Sequence, residues 1–300
     1  MTQHQLPLTR AFLPASIEVA PKQVLESKDL PGLFPKDTKV YLTDVGVDSV
    51  KDFIKAVKRI SDFGYAPVPH IPARRIRSRD ELETRIRTYA EEAGVTDTLV
   101  IGGGLDRPAG PFSSTMEILE SGLFDRYGIR DIGVAGHPEG SPDFSAATAE
   151  EALRLKRDFG ERTGAHIRIV TQFGFDAEEF INWSLAIKEA GIGLPIHLGV
   201  AGPAKITTLI KYAALCGVGN SVAFLKKRAL ALTALATTHS PESVVGPIER
   251  HWRETLDSPV RQIHVFPFGG LVKSAAWLTE RGSWPSEGSR FGRELERHHG

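Results

Sequence analysis

This chain of 300 residues is poor in cysteine and has neither an excess of one charge nor a long apolar run. Its one cysteine, Cys216, excludes an intrachain disulfide and fits a reducing compartment. Because Cys216 lies in the apolar stretch YAALCGVG, we expect it to be a small buried residue. Basic and acidic residues number 37 each, so the whole chain offers no field that attracts nucleic acid or an anionic membrane. Small molecules are therefore the expected partners, and a homo-oligomer is left open.

Signals for membrane insertion or export are also missing. No run of about 18 uncharged apolar residues predicts a transmembrane helix. The first residues, MTQHQLPLTRAFLPAS, lack the basic start and apolar core that are typical of a secretory signal. We therefore expect a cytoplasmic protein that does not bind membranes.

Short apolar runs alternate with longer charged segments that have helical periodicity. One of these helices is predicted to begin at Asp176, with Glu179 completing a capping box. One or two extra helices are predicted in residues 221–256, and a polar surface tail in about 281–300. The apolar runs, eight in number, occupy residues 15–20, 39–45, 65–71, 97–103, 131–136, 166–173, 194–200 and 261–268.

Eight strands that alternate with helices indicate an α/β protein with a parallel sheet. A single domain over residues 1–300, closed into a (β/α)8 TIM barrel with extra helices before the last strand, is the leading prediction. A doubly wound open sheet is the alternative. In a barrel, the polar residues that follow successive strands meet at one mouth, where active sites of this fold lie.

Familiar nucleotide-binding loops are absent from the sequence. GGGLDR and GVGNSV each lack the third glycine of the Rossmann fingerprint, and no Walker A loop is present. Any dinucleotide must therefore be bound by the loops of the barrel. The arginine-rich stretch HIPARRIRSR, residues 70–79, leaves two readings open: a clamp for a phosphate or carboxylate, or a solvated loop that leads into a helix.

Three short segments carry a resemblance to a known family. SIEVAP, GHPEGSPD and TQFGFD resemble, in order and spacing, three signature segments of the methylenetetrahydrofolate reductase family. LPIHLGVAGPAKI resembles a further segment of that family. The resemblance implies a barrel that binds FAD without a Rossmann domain. It also implies reduction of 5,10-methylenetetrahydrofolate to 5-methyltetrahydrofolate with electrons from NADH or NADPH.

The resemblance also implies roles for individual residues. Glu18 matches the catalytic glutamate, which donates the proton that opens the folate's imidazolidine ring. Because its sequence neighbours Ile17, Val19 and Ala20 are apolar, we expect its pKa to be raised. The residues implied to bind substrate are Gln172, Phe266 and Phe268. Those implied to bind the cofactor are Thr43, His70, Gly103, Gly104, Asp106, Ala135, Gly136, His137, Ser141, Arg154, Lys156 and Arg157.

The sequence departs from the family pattern after the fourth predicted strand. Gly104 stands where the family has an aspartate near the flavin, and Asp106 follows two residues later. His137 and Ser141 also differ from the usual residues of their loop. Two alternatives therefore remain open beside the reductase. One is a related flavoprotein that acts on another folate or C1 carrier in a demethylation pathway, and the other is a folate-binding accessory subunit without catalysis.

Overall fold

A closed barrel of parallel strands forms the centre of the molecule. The computed structural model describes residues 12–219, 221–223, 225 and 238–285. The strands of the barrel are β1 (Ala15–Val19), β2 (Lys39–Leu42), β3 (Ala66–Pro72), β4 (Asp97–Ile101), β5 (Asp131–Gly136), β6 (His166–Gly174), β7 (Ile196–Ala201) and β10 (Val260–Phe266). Two further short strands, β8 (Ala204–Lys205) and β9 (Thr238–His239), pair antiparallel outside the barrel.

The order of strands confirms the predicted (β/α)8 barrel and excludes the open sheet. Each barrel strand from β1 to β7 pairs with the next one along the chain, and β10 pairs with both β7 and β1. The eight apolar runs thus correspond to the eight barrel strands. Because all of these strands are parallel, their carboxyl ends meet at one mouth.

Helices follow the strands and cover the outside of the barrel. Asp176 caps the helix after β6, as predicted, by accepting the backbone N–H groups of Glu178 and Glu179. Of the region predicted to hold extra helices, residues 220, 224 and 226–237 lie outside the described part of the chain. The helices are α1 (Pro21–Glu26), α2 (Val50–Asp62), α3 (Arg79–Ala93), α4 (Thr115–Leu119), α5 (Leu123–Arg126), α6 (Ala146–Thr163), α7 (Ala177–Glu189), α8 (Ile206–Leu215), α9 (Glu242–Glu254) and α10 (Leu271–Glu280).

The two faces of the strands have different chemistry. Ile17, Val19 and Val40 belong to the large apolar cluster that joins the strands to the surrounding helices. The alternate residues point into the barrel, where Tyr41 packs in a separate small cluster with Val68 and two further apolar side chains. The interior also holds buried polar and charged side chains, which makes it unlike the branched apolar filling usual in this fold.

Two features at the surface differ from simple expectation. Cys216 is exposed, so the prediction of a buried thiol is wrong; it lies just past the end of α8, between the exposed Leu215 and Gly217. Trp284, in the predicted polar tail, is buried, and its Nε1–H donates to the carbonyl of Ala15. Residues 286–300 of that tail lie outside the described residues. Among the described residues, no helix has the length and apolar character that crossing a membrane requires.

Candidate active site

Glu18 lies at the end of β1, at the mouth of the barrel. Its Oε2 is 3.3 Å from Nε2 of His264 and 3.7 Å from Nε2 of His70. The hydroxyl of Thr43, just past β2, donates to the other carboxylate oxygen at 3.2 Å. The structure thus brings Glu18, Thr43 and His70 together at the mouth, and it adds His264, to which the sequence assigned no role.

His264 connects Glu18 to a second polar group deeper in the barrel. Its Nδ1 is 3.0 Å from the hydroxyl of Ser16, which lies beside it in the pairing of β1 with β10. The ring is fully buried, and both of its nitrogens have partners inside the protein. His70 differs, because neither of its buried ring nitrogens has a hydrogen bond with the described residues and its distance to Glu18 exceeds hydrogen-bond length.

The surroundings of Glu18 lower its pKa, which makes the expected upward shift wrong. Burial raises the pKa, but the hydrogen bond from His264, the charges of His70 and His264 and the hydroxyl of Thr43 outweigh that effect. The apolar residues Ile17 and Val19 do not surround the carboxylate, because successive side chains on a strand point to opposite faces. Burial and the charge of His264 lower the pKa of His70 against the opposing pull of Glu18.

A chain of charged and polar groups continues from this site into the barrel. Tyr41, which lies next to Glu18 in the pairing of β1 with β2, packs its ring 4.3 Å from the ring of His264. The Tyr41 hydroxyl accepts two N–H groups of Arg168 on β6. Arg168 in turn donates to Asp97 at 2.6 Å, and Lys39 donates to the other oxygen of Asp97 at 2.7 Å.

A buried lysine lies near the end of β5. Lys156 on α6 is 7% exposed and makes no hydrogen bond or ion pair with the residues that the structure describes. Burial lowers its pKa to about 8. His137, just past β5, has a lowered pKa through burial and through the charge of Lys156. Lys156 is largely buried and has no ion pair among the described residues, so this position fits an anionic group of a ligand.

The two arginines beside Lys156 have partners within the protein. Arg154 pairs with Glu150 one turn away at 2.6 Å. Arg157 pairs with Asp158 at 2.6 Å and donates to the carbonyl of Gly191. Of the three basic residues predicted to bind the cofactor on α6, only Lys156 is both buried and unpaired among the described residues.

The loop after β4 is held by the arginines of residues 70–79. Arg75 donates to the carbonyl of Gly103 at 2.8 Å, and Arg74 donates to the carbonyls of Leu105 and Ser113. These two guanidinium groups therefore bind backbone carbonyl groups. Neither interpretation of residues 70–79, an anion clamp or a solvated loop, predicted these contacts. Gly104 in the same loop has a φ of 65°, a conformation that favours glycine, and Asp106 is exposed.

The loop GHPEGSPD after β5 is a compact turn. Ser141 accepts the N–H of Asp143 and forms an isolated bridge with Phe144, whose ring meets His137 edge-on at 5.0 Å. Glu139 accepts the backbone N–H and the hydroxyl of Ser221, which attaches the loop to the segment after α8.

Gly136 ends β5 with no room for a side chain. A Cβ there would lie 2.5 Å from Ile169 and 2.9 Å from the ring of Trp183, so only glycine fits. The half-buried Ala135 precedes it, so the last two residues of β5 carry at most a methyl group as side chain.

Aromatic side chains line the part of the mouth between β6 and β10. Phe266 lies edge-on to His264 at 4.9 Å, and Phe173 packs against both Phe266 and Phe268. Gln172 uses its carbonyl oxygen to accept the N–H of Phe173, which leaves its side-chain N–H groups unbound among the described residues. The predicted substrate residues thus supply apolar ring surface and two amide donors.

Sequence reasoning did not assign roles to several interior residues. Ser16, Tyr41, Arg168 and His264 lie two or four positions before a predicted residue or strand end, on the same face of the strand. That spacing of two is the signal that would have found them. Within the described residues, no group of three or more histidine, cysteine, aspartate or glutamate side chains is arranged to hold a metal ion.

The predicted FAD residues fit the cofactor in part of the site. Lys156, buried and unpaired beside His137, fits the diphosphate of a dinucleotide. The glycine run 102–104 supplies no carboxylate to the ring edge, and Asp106 is exposed. The diphosphate half of FAD is therefore matched more fully than the flavin ring.

Comparisons with known proteins agree with the resemblance in the sequence. The family model described as methylenetetrahydrofolate reductase matches residues 47–239. The 5,10-methylenetetrahydrofolate reductase of Salmonella typhimurium is 30% identical over 220 residues, which cover 72% of this chain and 71% of that protein. The enzyme of the same name from Escherichia coli is 28% identical over 222 residues, 72% of this chain and 71% of that protein.

A eukaryotic relative matches a shorter region. Methylenetetrahydrofolate reductase 1 of Schizosaccharomyces pombe is 39% identical over 155 residues. This match covers 50% of the present chain and 24% of the yeast protein. The similarity therefore concerns one part of that longer protein.

Proposed function

Because the chain belongs to the methylenetetrahydrofolate reductase family, we propose that it reduces 5,10-methylenetetrahydrofolate to 5-methyltetrahydrofolate. NADH or NADPH is the proposed electron donor, and FAD is the proposed carrier. The observation that supports this function best is the group formed by Glu18, His264 and Thr43 at the mouth of the barrel. It combines a carboxylate with an imidazole that can exchange a proton with it.

The chemistry explains why such a pair is useful. Opening the imidazolidine ring of the substrate requires a proton at its N10 atom, and a positioned acid supplies it in general acid catalysis. Since the pKa of Glu18 is lowered, we propose that the proton is held by the pair of Glu18 and His264 together and reaches the substrate from the carboxylate. FAD, when bound, would supply the hydride-transfer chemistry between the nicotinamide and the folate.

The remaining predicted residues bind and orient. Gln172 offers amide donors to the polar edge of the pterin, and Phe266 and Phe268 offer ring faces to its aromatic parts. Lys156 offers a buried positive charge to the cofactor diphosphate.

The test uses the purified full chain with and without added FAD. We expect a flavin absorption spectrum, bleaching by NADH or NADPH without oxygen, and reoxidation by 5,10-methylenetetrahydrofolate. If the protein binds no FAD but oxidises a nicotinamide only when the folate is present, the reductase proposal stands and the flavin proposal is wrong. Folate binding without any turnover would contradict the reductase proposal and favour the accessory subunit.

A further inference from the structure

Arg168 places a positive charge in the interior of the barrel. It lies on β6, is 6% exposed and donates to Asp97 at 2.6 Å. Burial of a guanidinium costs free energy unless its donors are satisfied, and a layer of branched apolar residues would fill the same space in most barrels. Packing alone therefore does not explain why an arginine occupies this position.

The surrounding residues accommodate Arg168 and fix its position. A Cβ on Gly133 of the neighbouring strand would crowd Leu99 at 3.0 Å and Val170 at 3.2 Å and would touch Nη2 of Arg168 at 3.4 Å, so glycine keeps this part of the interior uncrowded. Asp97 is held in turn by Lys39 from the other side. The guanidinium is thus held between Asp97 and the hydroxyl of Tyr41, which accepts from Nε and Nη2 at 3.2 and 2.8 Å.

Tyr41 carries this arrangement to the mouth of the barrel. Its ring contacts the ring of His264 with centroids 4.3 Å apart and an angle of 56° between the planes. His264 then reaches Glu18. A continuous series of contacts therefore runs from Asp97 through Arg168, Tyr41 and His264 to the carboxylate.

We propose that Arg168 is a positioning residue for proton delivery: it fixes Tyr41 against His264 and so fixes the ring that contacts Glu18. The proposal rests on the proposed function. Ser16 holds the other side of the His264 ring. The titratable groups that face His264 from the packed strands are Glu18 on β1, Tyr41 on β2, His70 on β3 and His197 on β7. Behind them, Arg168 and Asp97 act on Tyr41, and Arg168 and Lys39 act on His197.

The first measurement is independent of activity. The full chain is labelled with ¹⁵N-histidine, and the His264 signals are assigned by their loss in His264→Gln and followed against pH. In Arg168→Met we expect the ring signals of His264 and their dependence on pH to change, because Tyr41 is no longer held against this ring. Tyr41→Phe removes only the hydroxyl that holds the guanidinium and keeps the ring, so a smaller change is expected.

The second measurement is the pH profile of folate reduction. In Arg168→Met we expect kcat to fall about 10- to 100-fold through misplacement of the proton donor, with little change in KM. The high-pH limb of kcat/KM should move together with the measured titration of His264. Lys39→Met is the matched control, since it removes the other cation on Asp97 and leaves Arg168 bonded to Tyr41, so kcat is expected to stay near the wild-type value.

The outcomes separate the two proposals. If the His264 titration and the shape of the pH profile are unchanged in a folded Arg168→Met protein, Arg168 has only a structural role and the inference is wrong. If that variant does not fold, an unchanged His264 titration in Tyr41→Phe overturns the inference equally. A wild-type protein that reduces no folate contradicts the proposed function, whereas the histidine titrations still decide whether Arg168 and Tyr41 position His264.

Discussion

Two carboxylates near the ends of neighbouring strands, Glu18 on β1 and Asp44 just past β2, have different kinds of partner. Glu18 is surrounded by His264, His70 and a hydroxyl. Asp44 pairs with the guanidinium of Arg85 on α3 at 2.6 Å and accepts the N–H of Gly46. Both side chains are largely buried, so exposure does not distinguish them.

The difference in partners separates chemistry from structure. Arginine keeps its proton at any physiological pH, so a carboxylate paired with it stays ionised and fixed. Histidine gains and loses a proton near neutral pH, so a carboxylate beside it can take part in proton exchange. Glu18 is therefore suited to proton transfer, while Asp44 holds the loop after β2 against α3.

The strongest test of this difference is the substitution Glu18→Gln, which keeps the shape of the side chain and removes its carboxyl group. We expect kcat for folate reduction to fall about 10²- to 10⁴-fold, the usual contribution of a general acid. Stability in urea should change little, because the amide that replaces the carboxylate retains hydrogen-bonding atoms toward Thr43 and His264. Unchanged kcat would show that another group donates the proton.

The matched substitution Asp44→Asn should have the reverse effect. It leaves the buried guanidinium of Arg85 without its full partner, although Glu81 still contacts it at 2.9 Å. We expect the free energy of unfolding to fall by about 3 kcal/mol, as for other broken buried ion pairs. Urea denaturation measures this loss. Activity per folded molecule should stay within about threefold of wild type, and a larger loss would place Asp44 in the catalytic machinery.

Sequence patterns predicted the strands and the position of the mouth well. The apolar runs of β4 and β5 are typical of strands covered on both faces, and the resemblance selected Glu18 and Thr43, which do meet. The direction of the pKa shift of Glu18 could not be predicted from the sequence, because it depends on His264, which is 246 positions away in the chain. Contacts across a closed barrel carry no local signal.

The lack of a local signal for tertiary contacts also explains why the sequence could not distinguish the basic residues of α6. Arg154 and Lys156 are two positions apart on one helix, and the sequence assigned both to the cofactor. Only burial and pairing distinguish them: Lys156 is buried without a partner among the described residues, and Arg154 pairs with Glu150 near the surface. These properties depend on which face of α6 packs against the barrel.

A pH series of stability tests the environment of Lys156. Its pKa is about 8 in the folded protein, below the ordinary value of 10.5, so between these values the unfolded chain binds more protons than the folded one. Wild type should therefore gain stability over this range relative to Lys156→Met, by about 1.4 kcal/mol per pH unit. Urea denaturation at several pH values measures the difference. A pH-independent difference would mean that Lys156 is solvated.

The smallest effect is expected for Arg154→Gln, the matched control for Lys156. The pair with Glu150 is about one-third exposed on the arginine side, and such pairs contribute little. We expect the free energy of unfolding to change by less than about 0.5 kcal/mol. In titrations with FAD or pyrophosphate, Lys156→Met should weaken binding and Arg154→Gln should leave it unchanged, because only the buried lysine has a charge free for an anion. If both variants weaken binding equally, burial and pairing do not distinguish the cofactor residues of α6.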